Sequence, residues 1–509
     1  MQNKSRTIAK NTLLLTFRML FLLIVNLYTS RILLESLGIE DFGIYNVVGG
    51  VVAMFSIVSG SITASVGRYI TFELGENDFN KLSKVFSTSV IIQFILSAVL
   101  LLLLETVGLW FLNTQMNIAM DRMFAANWVF QLSIITFCIN LISVPYNALI
   151  IAHEKMGVFA YISVLDGVSK LIIAYAIALS TIDRLIFYAI LLCLLSLLIR
   201  LIYTIYCNRK FPESRVNWHL DFTFLKSMFG FAGWNFIGAT AGILRDQGGN
   251  VLLNIFFGPT VNASRAIALQ VSTAVQGFVS SFTTSLNPQI TKSYASGDSA
   301  FLNAILLKGS KFSFFILFSL AFPILLSTDY IIQIWLGEIP THSVAFVRLT
   351  LILSLVETIS MPLITAMLAT GKIKKYQIIV GGINMLNLPI SLVFLWLGSS
   401  PESVFVISII LSCLCLYARL GLLKSMIGLN LVCYFKEVIL SIVYVVLFTV
   451  VLTFLLTFFL NKETLCGFLF TTIISMVITL CTIYLMGLTQ SEKEKVITYL
   501  HKIQNRIKF

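Results

Sequence analysis

Apolar residues run through this chain in long blocks, and short polar or basic clusters separate them. Val90–Leu104 and Ile439–Leu460 belong to such blocks. A helix needs roughly 20 apolar residues to cross hydrocarbon. Hydropathy at that length predicts about fourteen helices, over 9–36, 43–69, 85–112, 122–152, 158–180, 185–207, 224–253, 259–287, 306–335, 343–369, 376–397, 402–426, 435–460 and 465–487. The expected fold class is therefore an all-α integral membrane protein. The first apolar stretch, Thr12–Leu37, is longer than the roughly 7–15 residues of a signal-peptide core, so a first transmembrane helix is expected there.

Composition sharpens that picture. Of 509 residues, 58% are hydrophobic and 11% charged, where a soluble domain carries about 25% charged residues. The mean hydropathy is +0.93. Eight cysteines are scattered with no Cys-x-x-Cys, which reads as small buried hydrophobes rather than a disulfide or metal framework. The chain has neither a GxxxxGK[ST] phosphate loop nor an HExxH. TGKI at 370–373 lacks the upstream glycine and the following Ser or Thr, and His153, His219, His342 and His501 are far apart. Hence no enzyme, cofactor or metal is expected.

The basic residues set the orientation. The N-terminal tail, alternate loops and C-terminal tail hold about 25 of the 35 Lys and Arg, and the opposite side holds about seven. By the positive-inside rule both termini are cytoplasmic, and the net charge of +12 needs no nucleic acid to explain it. In the tail, Ser491–Glu494 has the form of a capping box. Val496, Leu500, Ile503 and Ile507 then make an apolar stripe, as in a helix lying on the inner membrane face.

A repeat organises the spans. Gly38 matches Gly258 at an offset of 220, Gly75 matches Gly297 at 222, and Trp110 matches Trp335 at 225. Pro145 matches Pro362 and Lys155 matches Lys372, both at 217. Six helices per repeat is an even number, so both copies enter from the same side and the lobes are parallel. The expected divisions are 1–207 and 222–427 for two six-helix lobes, and 208–221 for a cytoplasmic linker. Two further transmembrane helices follow over 428–487, and an amphipathic tail over 488–509.

Polar residues inside spans are costly and point to function. In VPYNALIIAHEK, Val144–Lys155, and MPLITAMLATGK, Met361–Lys372, each lobe places a proline toward the inner end of its fourth helix. Proline crowds the carbonyl four residues back, Leu141 or Thr358, so Pro145 and Pro362 are hinge candidates, with a structural kink as the plainer alternative. Asn140 and Asn147 share a helix face. Arg18 lies inside the first helix with Asn11 on the same face, and a guanidinium suits two-point phosphate binding. Its alternative role is pairing with Asp166 or Glu357. Arg31–Glu35 and Asp166–Lys170 have i,i+4 pairing spacing. Arg245, Asp246, Asn250 and Asn254 make a polar patch. Arg265 begins the next span, whose Gln270, Thr273, Gln276, Ser280 and Thr284 form a stripe suited to a wet cavity or to helix–helix packing. Substrate-binding candidates are Arg18, Arg31, Arg245, Arg265, Asn11, Gln270 and Gln276. Ion-coupling candidates are Glu357, Asp166 and Asp246.

The stretch Asn11–Gly50, with Arg18, an R-x-L-x-x-x-L-G turn and then D-F-G-I-Y, resembles the oligosaccharide flippases of the polysaccharide transporter family. So do the G-E-N-D-F loop and the PYNALIIAHEKM segment. That family belongs to the multidrug/oligosaccharidyl-lipid/polysaccharide superfamily, with a MATE-like fold. The resemblance covers about 1–430, and the last two helices by count only. It implies a bacterial inner-membrane flippase that moves polyprenyl-diphosphate-linked oligosaccharide from the cytoplasmic to the outer leaflet by alternating access. The pathway would be O-antigen (lipopolysaccharide), capsule or exopolysaccharide assembly. Cleft arginines would meet the diphosphate, the lipid tail would stay among membrane lipids, and H+ or Na+ or the membrane potential would supply energy. Polysaccharide polymerase machinery is an expected partner. The alternatives are a cation-coupled multidrug exporter, a lipid II flippase and, in another class, a membrane glycosyltransferase or polymerase.

Overall fold

The computed structural model describes every residue except 1, 55, 115–119, 179, 181–182, 218–220, 258, 337–338, 458–464 and 495–509. Many side chains in 2–58 and 254–263, those of Arg31 and Asn254 among them, and those at 178, 336 and 457 are also outside the description. The tail stripe expected after Ser491, Val496, Leu500, Ile503 and Ile507, therefore lies wholly outside the described residues.

Helices account for almost all of the described residues, and none of these is in a strand. In chain order they are α1 (Gln2–Met54), α2 (Ser56–Glu76), α3 (Phe79–Thr114), α4 (Met123–Ala152) and α5 (Met156–Ala178). They continue with α6 (Arg184–Lys210), α7 (Phe222–Phe257), α8 (Pro259–Ala295), α9 (Ser299–Leu326) and α10 (Thr328–Leu336). The last five are α11 (Ser343–Thr370), α12 (Lys374–Trp396), α13 (Ser403–Ile427), α14 (Leu431–Leu456) and α15 (Leu465–Gly487). Among the described residues, eleven helices are long and apolar enough to cross a membrane. The count of about fourteen is not reached on this measure. α2, α7 and α8 are helical where spans are expected but are not among the eleven: glycine and polar residues dilute their apolar character.

Within α1, Gly38 breaks the helix at φ 80°, ψ 169°, where the sequence places a turn. A β-carbon is strained at that φ, so glycine fits the break. The prolines behave differently. Pro145 and Pro362 sit inside continuous α4 and α11, both buried. Close to the first, the Arg200 guanidinium on α6 donates to the Ile142 carbonyl at 2.7 Å and lies 4.1 Å from the Tyr146 ring centre. A neighbouring side chain thus serves the backbone beside the proline, as helices in hydrocarbon require.

The chain forms two compact units. The first holds Met1–Thr240, Thr284–Asp298 and Leu368–Gln377, and the second holds Ala241–Thr283, Ser299–Met367 and Ile378–Phe509. In the first, α2, α3 and α4 share a core around Phe86 and Tyr146, whose rings meet edge to face at 5.1 Å. At one end of that unit Arg122 bridges Asp41 and Asp183, at 2.8 and 2.7 Å. In the second, Phe314 stacks on Phe318 along α9, and Phe322 meets Phe318 at a tilt, 5.2 Å between ring centres. Lys311 on α9 forms a buried 2.7 Å ion pair with Glu492, just beyond α15.

That pair corrects the reading of the tail. The glutamate half of a capping box forms at Thr489, not at Ser491: the Glu492 carboxylate accepts from the Thr489 amide at 2.9 Å while also holding Lys311. A buried lysine without a partner is costly, so the box is set where it also neutralises Lys311. All eight cysteines are free; contrary to the expected burial, Cys413, Cys466 and Cys481 are exposed on helices with apolar outer faces.

Candidate functional site

The first unit contains a cavity of about 590 Å³ between α1, α4, α5 and α6. Most of its wall is polar, and the groups come from residues that are far apart in sequence. α1 contributes Arg18 and Asn26, α4 Asn140 and Asn147, α5 Ser163, Asp166 and Lys170, and α6 Ser196 and Tyr203. Helical spacing explains the pattern. Asn140 and Asn147 lie two turns apart on α4, and Ser163, Asp166 and Lys170 follow at i, i+3 and i+7 on α5.

Charge is unevenly matched there. Asp166 is held by Lys170 at 2.7 Å, the pairing its spacing predicts. Arg18, about 24 Å along α1 by the 1.5 Å rise per residue, donates to the Ser163 hydroxyl at 3.1 Å and sits 4.6 Å from the Phe159 ring centre. Among the described residues no carboxylate is within ion-pair distance of Arg18, so neither Asp166 nor Glu357 takes the partner role considered for them. The Arg18 Nε is buried without a hydrogen-bond partner, and so is Asn147 Oδ1. Two cations face one carboxylate, leaving one positive charge in excess. Orphaned buried polar atoms are costly unless water or a ligand meets them.

The second unit gathers another part of the expected set. Arg245 donates Nη1 to Glu357 at 2.6 Å and Nε to Asp246 at 2.9 Å. Arg265 donates Nη2 to the Asp246 carbonyl at 2.7 Å, while its Nε and Nη1 are buried and unpartnered. Two arginines thus face two carboxylates. For Arg245 the expectation of a guanidinium free to grip an anion is corrected: in this conformation Glu357 and Asp246 already neutralise it. Gln276 donates to Ser272 and Ser354 at 3.2 and 2.8 Å, the packing role of the stripe, whereas Gln270 is exposed. Asn11 is buried with an unpartnered Nδ2 but is not on the cavity wall. The Arg31 side chain lies outside the described residues.

Sequence reasoning did not single out Arg200, Glu154 or Tyr203. Arg200 carries the plain signal of an arginine in mid-span, flanked by Leu195, Ile199 and Ile202.

Solved membrane-transporter structures share this fold. A crystal structure of a MATE mutant matches at TM-score 0.73 and 12% identity, over 84% of this chain and 96% of that one. An outward-facing multidrug resistance MATE family transporter of the MOP superfamily matches at 0.70 and 12%, with 84% and 96% covered. A MOP superfamily transporter from Pyrococcus furiosus, described as having a binding pocket of reverse polarity that suggests a different function, matches at 0.68 and 12%, again over 84% and 96%. No curated protein sequence matches the chain. The protein is a multi-pass membrane protein with the fold of MATE transporters. It belongs to the polysaccharide biosynthesis protein family, whose model matches residues 8–294, more than half of the chain. The likeness to these structures is one of fold, and the family is one of polysaccharide biosynthesis proteins.

Proposed function

We propose that this protein is a bacterial inner-membrane flippase that carries polyprenyl-diphosphate-linked oligosaccharide from the cytoplasmic to the outer leaflet. The pathway it serves is O-antigen, capsule or exopolysaccharide assembly. The observation that carries the reading is the cavity in the first unit: polar, one positive charge in excess, with the Arg18 guanidinium on its wall unmatched by any carboxylate among the described residues. A guanidinium presents parallel donors to a phosphate oxyanion, and hydroxyl and amide groups around it suit sugar. A cationic drug would meet like charge there, which disfavours the multidrug-exporter alternative.

In this account 1–207 and 222–427 are two parallel lobes that rock between inward and outward openings, both termini are cytoplasmic, and Pro145 and Pro362 permit the bending. The Asp166–Lys170 and Arg245–Glu357–Asp246 clusters are the places where H+ or Na+ binding can be coupled to movement. A strain lacking the gene should accumulate lipid-linked oligosaccharide on the cytoplasmic side, and Arg18→Ala should fail to rescue it. Drug sensitivity with normal surface polysaccharide would sink the proposal.

A further inference from the structure

Two turns related by the repeat carry very different residues. Glu154 follows the end of α4 with φ 59°, and Gly371 follows the end of α11 with φ 72°. They are 217 residues apart, the spacing that also relates Pro145 to Pro362. Left-handed φ after a helix is glycine's usual place, and a residue with a β-carbon is strained there. The first turn nevertheless carries a glutamate, and its side chain has a definite task. Glu154 Oε1 accepts from Lys292 Nζ at 2.8 Å, and Oε2 accepts from Gln289 Nε2 at 2.5 Å, both on α8.

The second turn is glycine for a further reason. A β-carbon at Gly371 would collide with the Arg68 guanidinium. Arg68, on α2, donates Nε to the Leu368 carbonyl at 2.9 Å and Nη2 to the Ala369 carbonyl at 3.1 Å. It thereby joins the Gly371 amide on the Leu368 carbonyl, supplies a donor to the Ala369 carbonyl, and sets a positive charge at the negative end of the dipole. The rings of Tyr69, Phe72 and Phe231 lie 4.6–5.4 Å from its guanidinium carbon.

The two contacts obey the repeat themselves. Arg68 and Gln289 are 221 residues apart, between the offsets of the flanking glycine pairs. One helix, α2, reaches the end of α11, and its repeat counterpart, α8, reaches the end of α4. All of these groups belong to the first compact unit. The backbones also come close: a β-carbon at Gly75 on α2 would fall 2.8 Å from Ala295 Cβ and 2.9 Å from Lys292 Cα.

We infer that Arg68 with the α11 carbonyls, and Glu154 with Gln289 and Lys292, are the two halves of one pseudo-twofold latch that closes the basic, cytoplasmic face. Opening that face to load substrate requires both to part. The latch rests on the transport reading for its purpose, but its test needs no substrate, so the two can fail separately.

The test uses the full-length protein in inside-out vesicles, with its native cysteines replaced and one reporter, Ser293→Cys, at a position buried beside the latch. Reaction with a membrane-impermeant maleimide reports opening. Glu154→Gln and Arg68→Gln should each raise the labelling rate about tenfold, in line with loss of charge-assisted hydrogen bonds. The reversed pair Glu154→Lys with Lys292→Glu should restore protection. A control reporter, Ser310→Cys, buried in the second unit, should stay protected throughout. Unchanged labelling at 293 would overturn the inference, and so would a parallel rise at 293 and 310, which would mean general loosening instead of a latch.

Discussion

Replacing Arg18 with alanine probes the excess charge of the cavity directly. The wall would go from two cations against one carboxylate to a matched Asp166–Lys170 pair, and an incoming diphosphate would lose its free guanidinium. The present partners of Arg18 are a single hydroxyl and a ring face, so little of its capacity is committed within the protein. A hydrogen bond to a charged group contributes about 1.5–3 kcal/mol. Binding of a short-chain polyprenyl-diphosphate oligosaccharide to the purified protein should weaken about 10- to 150-fold. Arg18→Lys, which keeps the charge but not the planar fork, should fall between the two. Thermal unfolding should barely change, because Arg18 leaves Nε unpartnered already. Binding within twofold of the parent for Arg18→Ala would refute the reasoning.

Other expectations follow from the same geometry. Glu357→Gln removes the carboxylate 2.6 Å from Arg245 and should lower stability by about 2–3 kcal/mol, below the 3–5 kcal/mol of a fully buried pair because the Glu357 side chain is 30% exposed; calorimetry or denaturant titration would show it. Glu492 provides a pH test: burial opposes its ionisation, but Lys311 and the Thr489 amide together hold its carboxyl below the usual range. A depressed folded pKa means stability present above the unfolded value and lost as pH falls through the folded one, so acid should release the segment beyond α15, seen as faster proteolysis there, and Glu492→Gln should remove that pH step. Gly371→Ala should loosen the latch through both backbone strain and collision with Arg68, raising labelling at Ser293→Cys. Pro145→Ala should slow transport without lowering stability; unchanged transport would remove the hinge from the account.

The all-helical, multi-span character, the Gly38 break and the Asp166–Lys170 pair could be read from sequence because each depends on residues within a turn or two of one another; the count of fourteen spans could not. The convergence of Arg18, Asn140, Asn147 and Asp166 could not, since it depends on how α1, α4 and α5 are rotated about their axes. The same limit hid the neutralisation of Arg245, whose partner Glu357 lies 112 residues away. Glu154 passed unnoticed for another reason. Its importance lies in being a glutamate where the repeat has Gly371, and only the left-handed backbone at both positions makes that contrast informative. The helix start lies two residues before the one the sequence suggests: Thr489 and Ser491 are equally good caps locally, and burial of Lys311 decides between them.

The central claim is that the positively biased cavity serves passage of a diphosphate-linked sugar across the bilayer. The most direct measurement reconstitutes the purified protein in vesicles with a labelled polyprenyl-diphosphate oligosaccharide and follows its appearance in the opposite leaflet with a leaflet-restricted reagent. The account predicts protein-dependent movement that Arg18→Ala slows by at least tenfold. Movement no faster than in protein-free vesicles, with an ion gradient of either H+ or Na+ applied, would contradict it.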